Sequence, residues 1–209
     1  MIIDVHAHLW APPVLNQNGL NLLGSDGSYA GMEPKIDDDV FRDHLSIQLK
    51  AMDQVGTDLQ MVSPRPFTMM HSRGARVVDV WTRWTNNAIA QQIRLAPGRF
   101  MGMAGLPQVP GEPVERVFPE MERCIKESRY VLCVITAQYL ASDHTSEEAI
   151  ISKTLDMADQ RKRLVPLVFE RVELPVWLHG LVGIDFTEDA TVEPTERLLD
   201  LVTAQRAAR

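Results

Sequence analysis

Apolar residues recur along this chain in two alternating rhythms. Short, nearly continuous apolar runs fall at residues 2–5, 59–63, 100–106, 130–136 and 163–169, with a further one at 183–186. Runs of that length, bounded by polar and turn-forming residues, predict buried strands. Between them, apolar positions return every three or four residues, as on one face of a helix. Phe41, Leu45, Leu49, Met52 and Val55 mark the first such stretch, opened by Asp37, Asp38 and Asp39 and closed by Gly56. Val77, Trp81, Trp84 and Ala88 mark a second, which ends before Pro97-Gly98. Val114, Val117, Met121 and Cys124 mark a third, whose start Pro119 should delay or kink. Thr145 caps a fourth, which buries Ile151, Leu155 and Ala158, and a last helix begins near Pro194. Residues 10–35, rich in Gly, Asn, Ser and Pro, read as a long loop.

Strand and helix alternate throughout, which predicts parallel βαβ units and an α/β fold. A closed TIM barrel needs eight such units and typically about 250 residues. The 209 residues here hold five or six units. Pro166 lies inside the fifth strand-like run and removes a ladder donor, which suits an edge strand. The expected architecture is therefore a mainly parallel, open sheet of five or six strands with flanking helices.

Composition narrows the functional classes. With 45% hydrophobic residues the chain can bury a core. A net charge of -7 supplies no basic field for nucleic acid or an anionic membrane. Cys124 and Cys133 match no metal or redox spacing and read as reduced core thiols. No signal-peptide pattern opens the sequence, and no apolar run approaches the roughly 20 residues of a membrane span. A cytoplasmic protein is expected.

The sharpest chemical signal is the pair His6 and His8 at the C-terminal end of the first strand. Positions two apart on a strand face the same way, so both imidazoles should project together. That end of the strands is where α/β folds place ligands. Neutral imidazole is a good zinc ligand. Taken alone, the pair also fits two polar residues at a strand end.

In context, Asp4-Val5-His6-Ala7-His8 resembles the first-strand metal motif of the amidohydrolase superfamily. Similarity continues through Val55-Gly56-Thr57-Asp58-Leu59-Gln60, Ser63-Pro64-Arg65-Pro66-Phe67, Met69-Met70-His71-Ser72 and Gly105-Leu106-Pro107-Gln108. Together, over about residues 1–127, these resemble the 4-oxalomesaconate hydratase branch, whose members add water to an unsaturated dicarboxylate or tricarboxylate. The resemblance implies that His6 and His8 hold Zn2+ or another divalent metal. It implies that Arg65 and Ser63 bind a small-molecule carboxylate substrate, and that His71 carries a proton or orients a group. The plainer alternatives are a solvated loop charge for Arg65 and a structural or exposed ring for His71. Such enzymes draw further ligands from later strands. Here His144, His179 and Asp185 are the remaining candidates, and none sits in a matching motif. Two imidazoles alone would hold zinc weakly, and an incomplete barrel would leave the site inactive.

From residue 128 the motifs change. Tyr130-Val131-Leu132-Cys133-Val134-Ile135-Thr136, Tyr139-Leu140-Ala141-Ser142, Arg163-Leu164-Val165-Pro166-Leu167, Glu173-Leu174-Pro175 and Leu181-Val182-Gly183-Ile184-Asp185-Phe186 resemble, in order, the second half of a bacterial TIR domain. In TIR domains that cleave NAD, a glutamate opens the helix after this strand, and Glu148 matches it. The resemblance implies a catalytic carboxylate at Glu148. Thr145 and Glu148 also have the spacing of a capping box, which needs no substrate.

The two segments, 1–127 and 128–209, are expected to join near Glu127 and to pack as one continuous α/β domain, (βα)3 barrel-type units leading into flavodoxin-type units. An exposed sheet edge could pair two chains into a homo-oligomer. Three readings stay open: a metal-dependent hydro-lyase or hydrolase, a TIR-type interaction module or NAD-cleaving fragment, and a folded chimera without activity.

Overall fold

In the computed structural model, which describes residues 2–65, 70–141, 153–154, 163–181, 183–187 and 193–203, strands and helices alternate as the apolar rhythm predicts. The chain divides into two compact units, Met1–Glu120 and Met121–Arg209.

The first unit contains β1 (Ile3–His8), α1 (Pro13–Gly24), α2 (Asp38–Val55), β2 (Leu59–Ser63), α3 (Ala75–Leu95) and β3 (Phe100–Gly102). The strands are parallel, in the order β1-β2-β3. The Asp37 carboxylate caps α2 by accepting from the N–H groups of Asp39 and Val40. Gly56 ends it at φ +74°, a left-handed geometry that glycine adopts without strain. Met52 of α2 packs with Val62 and Phe100 of the sheet, while Val55, expected on that face, is exposed. A second cluster joins Leu15 and Leu22, Phe41 and Leu45, and Trp81, Trp84 and Ala88 from the three helices.

Residues 10–35 are not the open loop their composition suggests. α1 occupies residues 13–24, and Ser28–Gly31 form a turn of 3-10 helix. Pro13 supplies the fixed φ that suits a first helical position. Leu15, Gly19 and Leu22 then form a buried stripe at helical spacing, which the surrounding Asn and Gly residues disguise. Gly19 lies against the Trp81 ring so closely that a Cβ there would sit 2.7 Å from Cζ3.

The third strand is shorter than expected, ending at Gly102 rather than continuing to residue 106. The reason is a competing partner. The Asn86 side chain takes both backbone groups of Gly105, accepting from its N–H at 2.8 Å and donating to its carbonyl at 3.0 Å.

The second unit contains β4 (Val131–Ile135), α5 (Ala137–Ala141), β5 (Leu164–Val168), β6 (Ile184–Asp185) and α6 (Pro194–Thr203). A further helix, α4 (Phe118–Glu127), carries the boundary between the units and begins one residue before Pro119. β5 is apolar throughout because both its faces are covered: Leu164 packs with Cys133, Ile135 and Leu178, and Val165 and Leu167 pack with Ile184 and Leu198. The helix expected after Thr145 lies largely outside the described residues.

Two sheet expectations need correcting. Among the described residues the strands form two three-stranded sheets, β1-β2-β3 and β4-β5-β6, rather than one sheet of five or six. A three-residue β3 offers little ladder on which a fourth strand could register. Pro166 lies in the central strand of the second sheet, not at an edge. The Val168 carbonyl faces β6, where it accepts from Phe186 N–H, and Pro166, two residues earlier, faces the same way. β6 pairs with Leu167 and Val168 and starts at Ile184, past Pro166. The missing N–H therefore costs no ladder bond.

Two stability outcomes follow from this packing. Gly19→Ala should destabilise the first unit by about 1–3 kcal/mol, the usual range for overpacking, read as an earlier loss of tryptophan fluorescence in denaturant. Arg94 grips Asp38 with two bonds of 2.7 and 2.8 Å. That contact, helped by Gln91, holds the Asp38 carboxyl far below the usual carboxylate range. An unfolded Asp titrates near 3.9. The stabilisation is therefore present above that pH and lost as the pH falls through the lower folded value. Asp38→Asn should lower Tm at pH 7, and its gap to the wild type should close as the pH falls below about 4.

Candidate functional site

The site begins with an irregularity in β1. Asp4 pairs with Gln60 and Ala7 with Val62, so the register shifts between them. Three steps on β1 against two on β2 mean one extra residue, a β-bulge. Bulges leave a backbone group without its ladder partner. Here the N–H of His6 turns to the Asp4 carboxylate, donating to Oδ1 at 3.0 Å. Asp58 ties down the start of the strand, accepting from Ile2 N–H at 2.6 Å.

Beyond the bulge the alternation is clean. Ala7, Val62 and Phe100 point into the core beneath α2 and α3. His6, His8, Met61, Ser63 and Met101 therefore point to the opposite face. The His6 and His8 ring centroids stand 5.0 Å apart with their planes at 88°. His6 is exposed and His8 half-buried. His8 Nδ1 lies 3.0 Å from Ser63 Oγ, and the Ser63 hydroxyl faces the Ala7 carbonyl at 3.5 Å. If the hydroxyl proton goes to that carbonyl, Oγ accepts from an Nδ1–H of His8. This tautomer leaves the Nε2 lone pair of His8 available to a ligand.

The other expected residues sit on loops of the same unit. His71 Nδ1 lies 2.8 Å from the Gln108 carbonyl, which can only accept, so Nδ1 carries the proton and Nε2 the lone pair. Gln108 belongs to the segment that Asn86 fixes at Gly105, and Asn86 also donates to the buried Glu120 at 2.9 Å. Arg65 is exposed just past β2, and residues 66–69 lie outside the described residues. Met70, directly after them, adopts a left-handed φ of 61°.

In the second unit, Glu148 and His144 lie outside the described residues. His179 faces the Leu174 carbonyl through Nε2 at 3.0 Å. Asp185 accepts from the hydroxyl and the N–H of Thr187. Those two bonds, with the nearby charge of Arg171, hold its carboxyl below the usual range against a weaker desolvation effect. A cleft of about 620 Å3 opens at the C-terminal ends of β5 and β6, lined in part by Arg171, Leu174 and Asp185.

Three contributors escape a motif-based reading: Gln60, which reaches Asp4; Asn86; and His44, whose ring lies 6.0 Å from that of Trp10. Desolvation lowers the pKa of His44. None of the three carries a spacing signal; each is legible only once helix faces are assigned.

As a metal site, His6 and His8 supply two nitrogens of the four donors a tetrahedral zinc takes. Among the described residues no third His, Cys, Asp or Glu gathers with them. No helix among the described residues is long and apolar enough to cross a membrane.

The amidohydrolase family model matches residues 3–150, more than half of the chain, and the chain belongs to that family. A TIR domain model matches residues 109–199. Over 138 residues the chain is 32% identical to 2-keto-4-carboxy-3-hexenedioate hydratase of Sphingobium sp. (strain NBRC 103272 / SYK-6), covering 64% of this chain and 40% of that protein. The crystal structure of 4-oxalomesaconate hydratase from Rhodopseudomonas palustris superposes with a TM-score of 0.54 at 25% identity, covering 80% of this chain and 62% of that one. The chain thus spans less than two thirds of the length of either relative.

Proposed function

We propose that the first unit carries a hydratase-type site for a small unsaturated carboxylic acid, with a divalent metal held in part by His6 and His8. The observation that carries this is the pair of rings 5.0 Å apart on one face, at the C-terminal end of a parallel strand. Membership of the amidohydrolase family and the printed activities of both relatives support it. A divalent ion at such a site supplies Lewis-acid polarisation of an oxygen on the substrate or on its attacking water.

The chain's own groups do the rest. Ser63 orients the His8 ring through Nδ1, so its expected substrate contact is better read as fixing a ligand. Arg65 offers the planar fork that binds a carboxylate with two parallel bonds. Hydration breaks one O–H bond of water and the C=C π bond, and forms a C–O and a C–H bond. A proton must therefore leave the water and reach the neighbouring carbon. His71 Nε2, which keeps its lone pair while Nδ1 donates to Gln108, is the group that takes or delivers it.

The match of residues 109–199 to TIR domains favours a second reading for the other unit, as a TIR-type interaction module. NAD cleavage through Glu148 would require that Glu148→Gln abolish release of nicotinamide.

Metal analysis of chelator-free protein, joined to a hydration assay on an unsaturated tricarboxylate, tests the main reading. Bound zinc or cobalt should fall at least about tenfold in His6→Ala and His8→Ala. Arg65→Gln should raise KM by about tenfold, the loss of roughly 1.4 kcal/mol of carboxylate binding. Negligible metal in the wild type, unchanged by either histidine variant, would end the proposal in favour of a folded chain without this activity.

A further inference from the structure

We infer that Gln60, Gln48 and Gln92 are positioning residues for the His6–His8 pair, acting through Asp4. The two rings matter only if the reading of His6 and His8 as ligands holds, so the inference rests on that reading for its functional meaning.

Three glutamine side chains form a continuous ladder from α3 to β1. Gln92 donates to Gln48 at 3.3 Å, Gln48 donates to Gln60 at 2.9 Å, and Gln60 donates to Asp4 Oδ2 at 2.9 Å. Gln92 and Gln48 are buried. A methionine or leucine would fill such space without a polar group to satisfy.

The direction of the ladder is set at one end. An ionised carboxylate only accepts, so Gln60 must present its NH2 to Asp4. Its Oε1 then faces Gln48, which must present NH2 in turn, and the same choice passes to Gln92. The last acceptor, Gln92 Oε1, is buried and has no hydrogen-bond partner among the described residues. An unsatisfied buried acceptor is costly. Its presence at the far end is the consequence of three amides all aimed at Asp4.

What Asp4 does with that aim is visible at its other oxygen. Oδ1 accepts the N–H of His6, the group freed by the bulge. Gln60 pulls on Oδ2 and so fixes the carboxylate plane, which directs Oδ1 to His6. The bulge then has one conformation, and His6 stands beside His8. The ladder is a support built behind the sheet for a geometry displayed on its front.

The test uses the full chain. Gln60→Met keeps the shape and removes both bonds. Amide hydrogen exchange is read at His6, with Leu9 and Met103 as references, since their N–H groups bond Ser63 and Val62 in the same sheet. Exchange at His6 should rise by about tenfold or more while Leu9 and Met103 change by less than about threefold. The NMR cross-peak between the His6 and His8 rings should disappear. Unchanged exchange at His6, or an equal rise at all three amides, overturns the inference, because either result describes ordinary core packing.

If Gln60→Met fails to fold, Asp4→Asn decides. Its Oδ1 still accepts from His6, and its NH2 can donate to a turned-over Gln60. Reversal of the whole ladder would then give Gln92 Oε1 a donor. His6 exchange within about threefold of the wild type is expected, with loss of protection in Asp4→Ala. Equal exchange in the two Asp4 variants overturns the inference. Zinc titration of the same proteins should show about 10–100-fold weaker binding in Gln60→Met. A wild type that binds no zinc removes the functional reading, and the exchange result still decides the positioning claim.

Discussion

The parallel pairing of β1 with β2, shifted by one residue between Asp4 and Ala7, is the constraint on which the site depends. Pairing alone would place alternate residues of β1 on alternate faces. The extra residue changes which backbone groups meet β2, and the Asp4 carboxylate takes the one left over. After the shift, Ala7 enters the core and the two histidines turn to the other face. Ser63, opposite His8 in the register, is then in place to hold that ring. The placement of both rings at the end of β1 is thus an outcome of strand register.

Much of this was legible in the sequence, for physical reasons that differ by element. α2 and α3 carry long apolar stripes with clear start or stop signals, and both form where the pattern puts them. The histidine pair was legible because a spacing of two on a strand has one geometric meaning. α1 was not, because its stripe uses Gly19 as a buried position, and glycine reads as a loop former. The glycine is there because Trp81 needs the space. Pro166 misled in the opposite sense: a rule about donors within a strand fails where the neighbouring strand is only two residues long. The ladder behind Asp4 was invisible, since glutamines on two helices and a strand acquire meaning only after all three are docked.

The overlap of the two family matches, at residues 109–150, has a simple physical origin. This stretch contains α4 and β4, a helix with one apolar face feeding an apolar parallel strand. Barrel-type and flavodoxin-type proteins are both built from that unit, and both connect it with the same handedness. Nothing in such a unit need distinguish its parent fold. The boundary between the compact units falls inside α4, ahead of the join expected near Glu127. A helix common to both architectures is a place where a chain can change from one to the other without breaking any local rule.

α3 shows how a support structure hides in ordinary composition. Its Trp81, Trp84 and Ala88 face the core, as any amphipathic helix would. Its amides look like solvent-facing filler, yet each is aimed at another segment. Asn86 holds Gly105, Asn87 meets Glu33, Gln91 takes the Ile36 carbonyl, and Gln92 starts the ladder that ends at Asp4. Backbone groups in irregular segments lack the partners that regular structure provides, and buried ones must find others. A long helix with amides on successive turns can serve several of them at once. The segment whose Gln108 carbonyl meets His71 and the strand that carries His6 and His8 are therefore both tied to one helix. A chain of hydrogen bonds thus reaches the end of β1 from the far side of the sheet.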